Sequence, residues 1–290
     1  MTEPIVPDPG TGALFGSAGD FQRAPTSEAQ FAATQDLISR RYDIFHGYHY
    51  WSEEFPTGAE QSLAADGTIL YLSWETEGVQ WSSIIDGDYD ELLAARARSI
   101  QLLEATVMLA LQHEPEMHLS ESGTAAEYVD AHHYVHDFFV NKGVENVVWV
   151  WNVTGAGEFF EIYNSLYPGD DVVDWVAWDP YNWFGCREDS PWRSFEEIVD
   201  PFYQWARQRY NKPLMVGEFG VVEHAEPGGP SKSGWFNDAI DAMTARPEIK
   251  AYVYFDVGSP RFCDWSIDSS PQAFAAFRRL ANHPYLNTRP

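Results

Sequence analysis

Short apolar runs of strand type recur eight times along this chain, each followed by a segment of helical character, and this alternation constrains the fold more than any other feature. The runs lie at 13–16 (inside a strand-like stretch, 11–19), 44–51, 69–75, 108–114, 146–152, 172–179, 214–218 and 249–256. Between them the pattern predicts helices over 27–41, 58–65, 90–104, 124–142, 159–166, 194–210, 231–246 and 271–282. Ser27 with Gln30, and Ser194 with Glu197, have the spacing of N-terminal capping boxes. Near-continuous apolar runs suit a parallel sheet covered on both faces. Eight β–α units predict an α/β fold of one kind, a single (β/α)8 TIM barrel. The 290 residues suffice for one such barrel. The expected organisation is a flexible, acidic, proline-rich segment over 1–10 and one barrel domain over 11–290.

Two of the runs end in a glutamate. In Met108-Leu109-Ala110-Leu111-Gln112-His113-Glu114-Pro115-Glu116 the apolar stretch gives way to ionisable residues. Pro115 has no N–H to donate and is expected to stop the ladder, leaving His113 and Glu114 at the carboxyl end of strand four. That end is where barrels of this type place catalytic groups. In Leu214-Met215-Val216-Gly217-Glu218-Phe219-Gly220, Glu218 ends strand seven between two glycines. Polar strand ends are common, so either glutamate alone would read as a solvated loop residue. Together they are the minimum equipment for cleaving a glycosidic bond. Glu75, Asp179 and Asp256 end strands three, six and eight, placed either to bind sugar hydroxyls or to pair structurally. His49, Trp51, Trp74 and Trp151 lie near strand ends as well, where they either line a sugar site or pack in the core.

The order and spacing of these motifs resemble glycoside hydrolase family 26, whose members are mostly β-mannanases within the clan of retaining (β/α)8 glycosidases. The resemblance rests on His113-Glu114, on Val173-Asp174-Trp175-Val176-Ala177-Trp178-Asp179-Pro180-Tyr181, on Gly217-Glu218-Phe219-Gly220, and on Tyr254-Phe255-Asp256 with Asp264-Trp265. It implies catalytic residues at the ends of strands four and seven, with Glu114 as acid/base and Glu218 as nucleophile, opposed about 5–5.5 Å apart. The negative charge of Glu218 would then help keep the Glu114 carboxyl protonated. His113 would flank the cleaved sugar, Tyr181 would hydrogen-bond the nucleophile, and Trp265 would form a platform under the ring. The resemblance implies a retaining, endo-acting enzyme that needs no cofactor and no metal, with β-mannan as the first expected substrate. Two positions depart from the pattern: Ala110 stands where an arginine is usual, and Pro115-Glu116-Met117 where Met-Asn-Gly is usual. A β-glucan or a cell-envelope polysaccharide therefore stays open as substrate, as does a non-catalytic glycan-binding protein of virion type.

Charge narrows the partners. With a formal net charge of −26, the surface repels phosphate backbones and anionic lipid, so neither nucleic acid nor a membrane is expected as partner. Some of the 12 Trp and 15 Tyr must be core, but their flat apolar faces also suit sugar rings. No apolar run reaches the length of a membrane span, and residues 1–10 lack the basic and apolar regions of a signal peptide. An extracellular protein acting as a monomer is expected, with a cytoplasmic or virion-associated one as alternatives. Cys186 and Cys263 fall in predicted loops on one face, where a disulfide and two free thiols are both open. His132 and His136 stand one helical turn apart, which is read as a solvated helix face in preference to a metal site.

Overall fold

The computed structural model describes residues 6, 9–19, 26–224, 229–258 and 263–287. Most of the 1–10 segment expected to be flexible lies outside these residues. The strands are β1 (Leu14–Ala18), β2 (Ile44–Tyr50), β3 (Ile69–Glu75), β4 (Val107–Leu111), β5 (Val147–Val153), β6 (Trp175–Trp178), β7 (Tyr181–Asn182), β8 (Leu214–Val221) and β9 (Ile249–Phe255). Their order is β6-β5-β4-β3-β2-β1-β9-β8-β7, with β6 also paired to β8. Eight strands thus form the closed parallel ring of a (β/α)8 barrel, and the two-residue β7 is an addition that the sequence pattern does not announce. The chain divides into two compact units, one built on residues 46–177, the other on residues 8–45 and 178–290.

In the first unit, β3 pairs in register with β4 from Leu70↔Val107 to Trp74↔Leu111, and β4 pairs with β5 from Val107↔Val147 to Leu109↔Trp149. All residues of β3, β4 and β5 are buried, as the unbroken apolar runs require. Strand β6 is shorter than expected because Asp174 acts as its starter. The Asp174 N–H donates to the Trp149 carbonyl, and its carboxylate accepts the Trp149 N–H at 2.8 Å. The helix Ala125–Asn141 begins at a Thr124/Glu127 capping box and buries Tyr128, Ala131, His132, Val135 and Phe139. His132 thus lies on the core stripe, not on a solvated face as its i, i+4 spacing with His136 suggests. Its ring meets Trp149 edge-on at 5.6 Å.

In the second unit, β1 pairs with β9 from Leu14↔Ala251 to Ala18↔Phe255. Phe15, Phe219, Phe236, Tyr254 and Phe277 interlock at ring separations of 5.0–6.4 Å. Each ring buried in this way contributes roughly 1.5–3 kcal/mol of hydrophobic stabilisation. The helix Ser27–Ile38 is capped by Thr26, whose side chain accepts from Ala29 N, and not by Ser27. Gln30 does not close the expected box. It is buried, and its amide donates to Asp256 at 3.2 Å. The box predicted at Ser194/Glu197 is present.

Burial of His132 has a consequence for stability. Desolvation, aided by the charges of His136 and His133, lowers its pKa from 6.5 to about 3, so the folded protein holds it neutral. An unfolded chain binds that proton below about pH 6.5. The stability associated with the neutral ring is therefore complete above pH 6.5 and is lost as pH falls from 6.5 towards 3, at up to about 1.4 kcal/mol per pH unit. His132→Phe is expected to flatten this part of the pH–stability curve, as measured by thermal melts at pH 4, 5, 6 and 7. An unchanged acid limb would show that His132 does not carry the effect.

Candidate active site

The residues singled out by the motifs fall in both units. In the first unit the ladder between β3 and β4 ends at Leu111, earlier than expected from Pro115. The cause is Gln112, which takes a left-handed conformation with φ 49° and so turns out of the sheet. Glu114, two residues on, is also left-handed, at φ 49° and ψ 48°, and Pro115–Met117 form a 3-10 turn. Non-glycine residues in this region cost of order 1 kcal/mol or more each, so surrounding contacts must hold them.

Those contacts are specific. The Gln112 amide donates to Glu75 Oε2 at 2.8 Å, while its carbonyl oxygen accepts the Thr76 N–H and the Thr76 hydroxyl, each at 2.8 Å. The other Glu75 oxygen lies 2.5 Å from His113 Nδ1. Glu75 is thus nearly buried and spans two successive side chains of the β4 turn. An acceptor at Nδ1 fixes the imidazole tautomer with its proton on that nitrogen. The Glu114 N–H donates to the Asn152 carbonyl at 2.9 Å. The Asn152 side chain in turn accepts the Tyr71 hydroxyl at 2.9 Å.

Three candidates of this unit are core residues. Trp74 is fully buried, stacks on Trp51 at 4.4 Å and donates its indole N–H to the Trp51 carbonyl. Trp151 is fully buried and meets Tyr163 and Tyr167 edge-on. His49 bonds Glu60 at 2.7 Å and stacks on Phe55 at 4.9 Å. Their apolar faces are taken up by neighbouring rings.

In the second unit, Glu218 does not end its strand as expected. β8 runs on to Val221 because Gly220 and Val221 pair with Tyr181 and Asn182. Against β9, Val216 faces Tyr252 and Phe219 faces Tyr254, so one extra residue is accommodated at Gly217–Glu218. A bulge of this kind re-aims a side chain within a strand. The Tyr181 hydroxyl donates to Glu218 Oε2 at 2.5 Å. A short, charge-assisted bond of this type orients the carboxylate.

Around Tyr181 lies an aromatic group. Its ring is 5.0 Å from Trp183 and 4.9 Å from Trp265, and Phe255 approaches edge-on at 5.8 Å. Gly220 permits this packing: a Cβ there would lie 3.0 Å from carbons of both Trp265 and Tyr181. Trp265 is held by its own backbone, its N–H donating to Val257 and its carbonyl accepting the Tyr254 hydroxyl at 2.6 Å. The Arg187 guanidinium lies 3.4 Å over the Trp183 ring. Asp256 is buried and accepts from Gln30, Thr34 and the Ile267 N–H, which makes it a structural tie between helix and loop. Asp179 is also buried.

Cys186 and Cys263 are joined as a disulfide, and both pack with Val222, Trp265 and Tyr181. Sequence spacing leaves that pairing open, because the separation of two loops cannot be read from it. Gln112, Glu116 and Trp183 also escape the sequence reading. The available signals were the polar residue that ends the apolar run, the second carboxylate of Glu-Pro-Glu, and a tryptophan two residues after Tyr181.

Glycosyl hydrolase family 26 matches over residues 83–224. The chain is 31% identical over 268 residues to a protein named endoglucanase H from Acetivibrio thermocellus, an alignment covering 87% of this chain and 29% of that protein. It is 26% identical over 136 residues to a β-1,3-xylanase of Alcaligenes sp, covering 39% of this chain and 26% of that one. The chain thus spans under a third of either relative's length. Among solved structures it resembles a β-mannanase of this family from Bacteroides ovatus, with a TM-score of 0.67 at 15% identity over 95% of this chain and 90% of that one. A ruminal endo-β-1,4-mannanase gives a TM-score of 0.64 at 15% identity, covering 94% and 64%. At such identity these structures speak for the fold alone.

The disulfide closes a loop across a sequence separation of 77 residues. In the chain-entropy treatment a loop of that size is worth about 4 kcal/mol. Cys186→Ser/Cys263→Ser is expected to lower the unfolding free energy by about that amount in denaturant titrations. Dithiothreitol should do the same to the parent and nothing further to the variant. A parent insensitive to the reductant would contradict the cross-link as a stabilising element.

Proposed function

We propose that this chain, a glycoside hydrolase family 26-like (β/α)8 barrel, is an endo-acting, retaining β-glycosidase with Glu218 as nucleophile and Glu114 as acid/base. The observation that carries the reading is the Tyr181–Glu218 hydrogen bond of 2.5 Å, made at a bulge in the strand. A carboxylate aimed in this way is prepared to attack an anomeric carbon. Glu114 carries the complementary role, since its turn stands out of the sheet beside the Glu75-held His113.

In the first step a Glu218 oxygen bonds to the anomeric carbon while the bond to the leaving oxygen breaks and Glu114 protonates that oxygen. In the second, Glu114 takes a proton from water. The water oxygen bonds to the anomeric carbon, and the Glu218 ester bond breaks. Two inversions give net retention. His113 binds a sugar hydroxyl next to the acid, and the partly exposed Trp183, backed by the nearly buried Trp265, offers ring surface for stacking. Residues 11–290 form the catalytic domain. The disulfide fits an oxidising compartment, hence an extracellular site of action.

β-Mannan and β-glucan are the two substrate readings. The 31% identity to a protein named endoglucanase H favours β-glucan, as do Ala110 and Pro115-Glu116-Met117 at positions that depart from the usual mannanase residues. Reducing-end release from a panel of β-1,4-mannan, β-glucans and β-1,3-xylan decides between them. Binding without release on every member would instead indicate a glycan-binding protein.

Glu218→Ala is expected to lose turnover on every substrate, because no glycosyl-enzyme forms. Glu114→Ala should still be glycosylated by activated aryl glycosides and should accumulate that intermediate. Azide should restore turnover in Glu114→Ala and give the β-glycosyl azide. In Glu218→Ala it should give the α-anomer, by attack from the opposite face. Proton NMR assigns each product; exchanged anomers would exchange the roles, and no rescue in either variant would remove both residues from the chemistry.

Tyr181→Phe removes one hydrogen bond to a charged group, worth roughly 1.5–3 kcal/mol. A fall in kcat of about 10- to 100-fold with little change in KM is expected. A purely packing role for Tyr181 would leave kcat near the parent value.

A further inference from the structure

Glu116 lies two residues beyond the acid/base and turns back into the protein, with 6% of its surface exposed. A parallel ladder explains its position. In such a ladder a residue donates its N–H to one strand neighbour and accepts, at its own carbonyl, the N–H two residues further along that strand. Glu114 makes the first of these bonds, N–H to the Asn152 carbonyl at 2.9 Å. The second would be from the Thr154 N–H to the Glu114 carbonyl. That carbonyl is instead turned into the 3-10 turn, where it accepts the Met117 N–H at 2.9 Å. The Thr154 N–H goes to Glu116 Oε1, at 2.7 Å.

We propose that Glu116 is a positioning residue for the acid/base: its carboxyl replaces the missing ladder carbonyl and clips the left-handed Glu114 turn to the end of β5. The inference rests on the reading of Glu114 as acid/base. The donor side of the clip is braced. Thr154 Oγ1 lies 2.9 Å from the Tyr163 hydroxyl and accepts the Ala156 N–H at 3.2 Å. Tyr163 is itself buried among Trp151, Phe159 and Phe160. The turn and the β5 end are therefore held at two points, 114 to 152 and 116 to 154. With one point lost, Glu114 can pivot about the remaining bond and relax from φ 49°. Burial pushes the Glu116 carboxyl above the usual carboxylate range, against the lowering effect of its bond from the Thr154 N–H. An uncharged acceptor, such as a glutamine carbonyl, can thus serve the clip.

The test reads the acid function separately from binding and from folding. kcat/KM is measured for Glu116→Ala, Glu116→Asp and Glu116→Gln on aryl β-cellobiosides and β-mannobiosides, from 2,4-dinitrophenyl to unactivated phenyl. A misplaced acid matters only where the leaving group needs a proton. Glu116→Ala and Glu116→Asp, whose carboxyl is one methylene short, should lose 10-fold or more on phenyl glycosides. Both should stay within about 2-fold of the parent on dinitrophenyl glycosides, giving a steeper dependence on leaving-group acidity. Glu116→Gln should stay near the parent throughout. Equal losses on all leaving groups, or none, or a Gln variant as impaired as Ala, would overturn the clip. Glu114→Ala is run alongside. If it lacks the leaving-group dependence, the assignment of Glu114 fails; if it shows the dependence and Glu116→Ala does not, only the clip fails.

Discussion

Every backbone N–H inside a parallel barrel must find an acceptor, and this structure depends on how that demand is met where strands begin and end. Three acidic side chains meet it in the same way. Asp43, just before β2, gives its N–H to the Phe15 carbonyl and accepts the Phe15 N–H on its carboxylate. Asp174 does this with Trp149 at the start of β6. Glu116 accepts from Thr154 where β4 has already left the sheet. Each carboxyl stands in for a carbonyl that the chain, by starting or turning away, cannot supply. Some of the 44 acidic residues are therefore structural acceptors, not merely solubilising charge.

The same demand explains where chemistry becomes possible. A side chain inside a regular strand is committed to one face of the sheet. β4 escapes that commitment through the left-handed Gln112 and Glu114. β8 escapes it through the bulge at Gly217–Glu218 while staying in the sheet. Both departures are then secured by polar contacts, Glu75 with Gln112 and His113 in one unit and Tyr181 with Glu218 in the other. Local irregularity with external support is how a rigid scaffold holds a carboxylate in a defined direction.

Aromatic residues divide along similar lines. Trp74 and Trp151 are enclosed by other rings and serve as core. Trp183 and Trp265 pack against Tyr181 beside the disulfide, and Trp265 and Tyr181 lie over Gly220, where a Cβ would crowd both. The sequence marks Trp74, Trp151 and Trp265 as sugar-stacking candidates and passes over Trp183; the neighbouring rings of each are known only from the fold.

The sequence alone determined the barrel, because burial on both faces forces eight unbroken apolar runs and helical spacing marks what lies between them. It also marked Glu114 and Glu218 as candidates, because each closes or interrupts such a run. Only the tertiary structure decided how far each strand extends, since a ladder ends where its partner stops pairing. Leu111 and Val221 are limits set by neighbours distant in the chain. It alone decided that Asp256 ties helix to loop, that His132 faces the core and that Cys186 reaches Cys263. The physical reason is common to all of these: a polar group's role depends on which partner comes within hydrogen-bonding or packing distance, and that distance is a property of the folded chain, not of spacing along it.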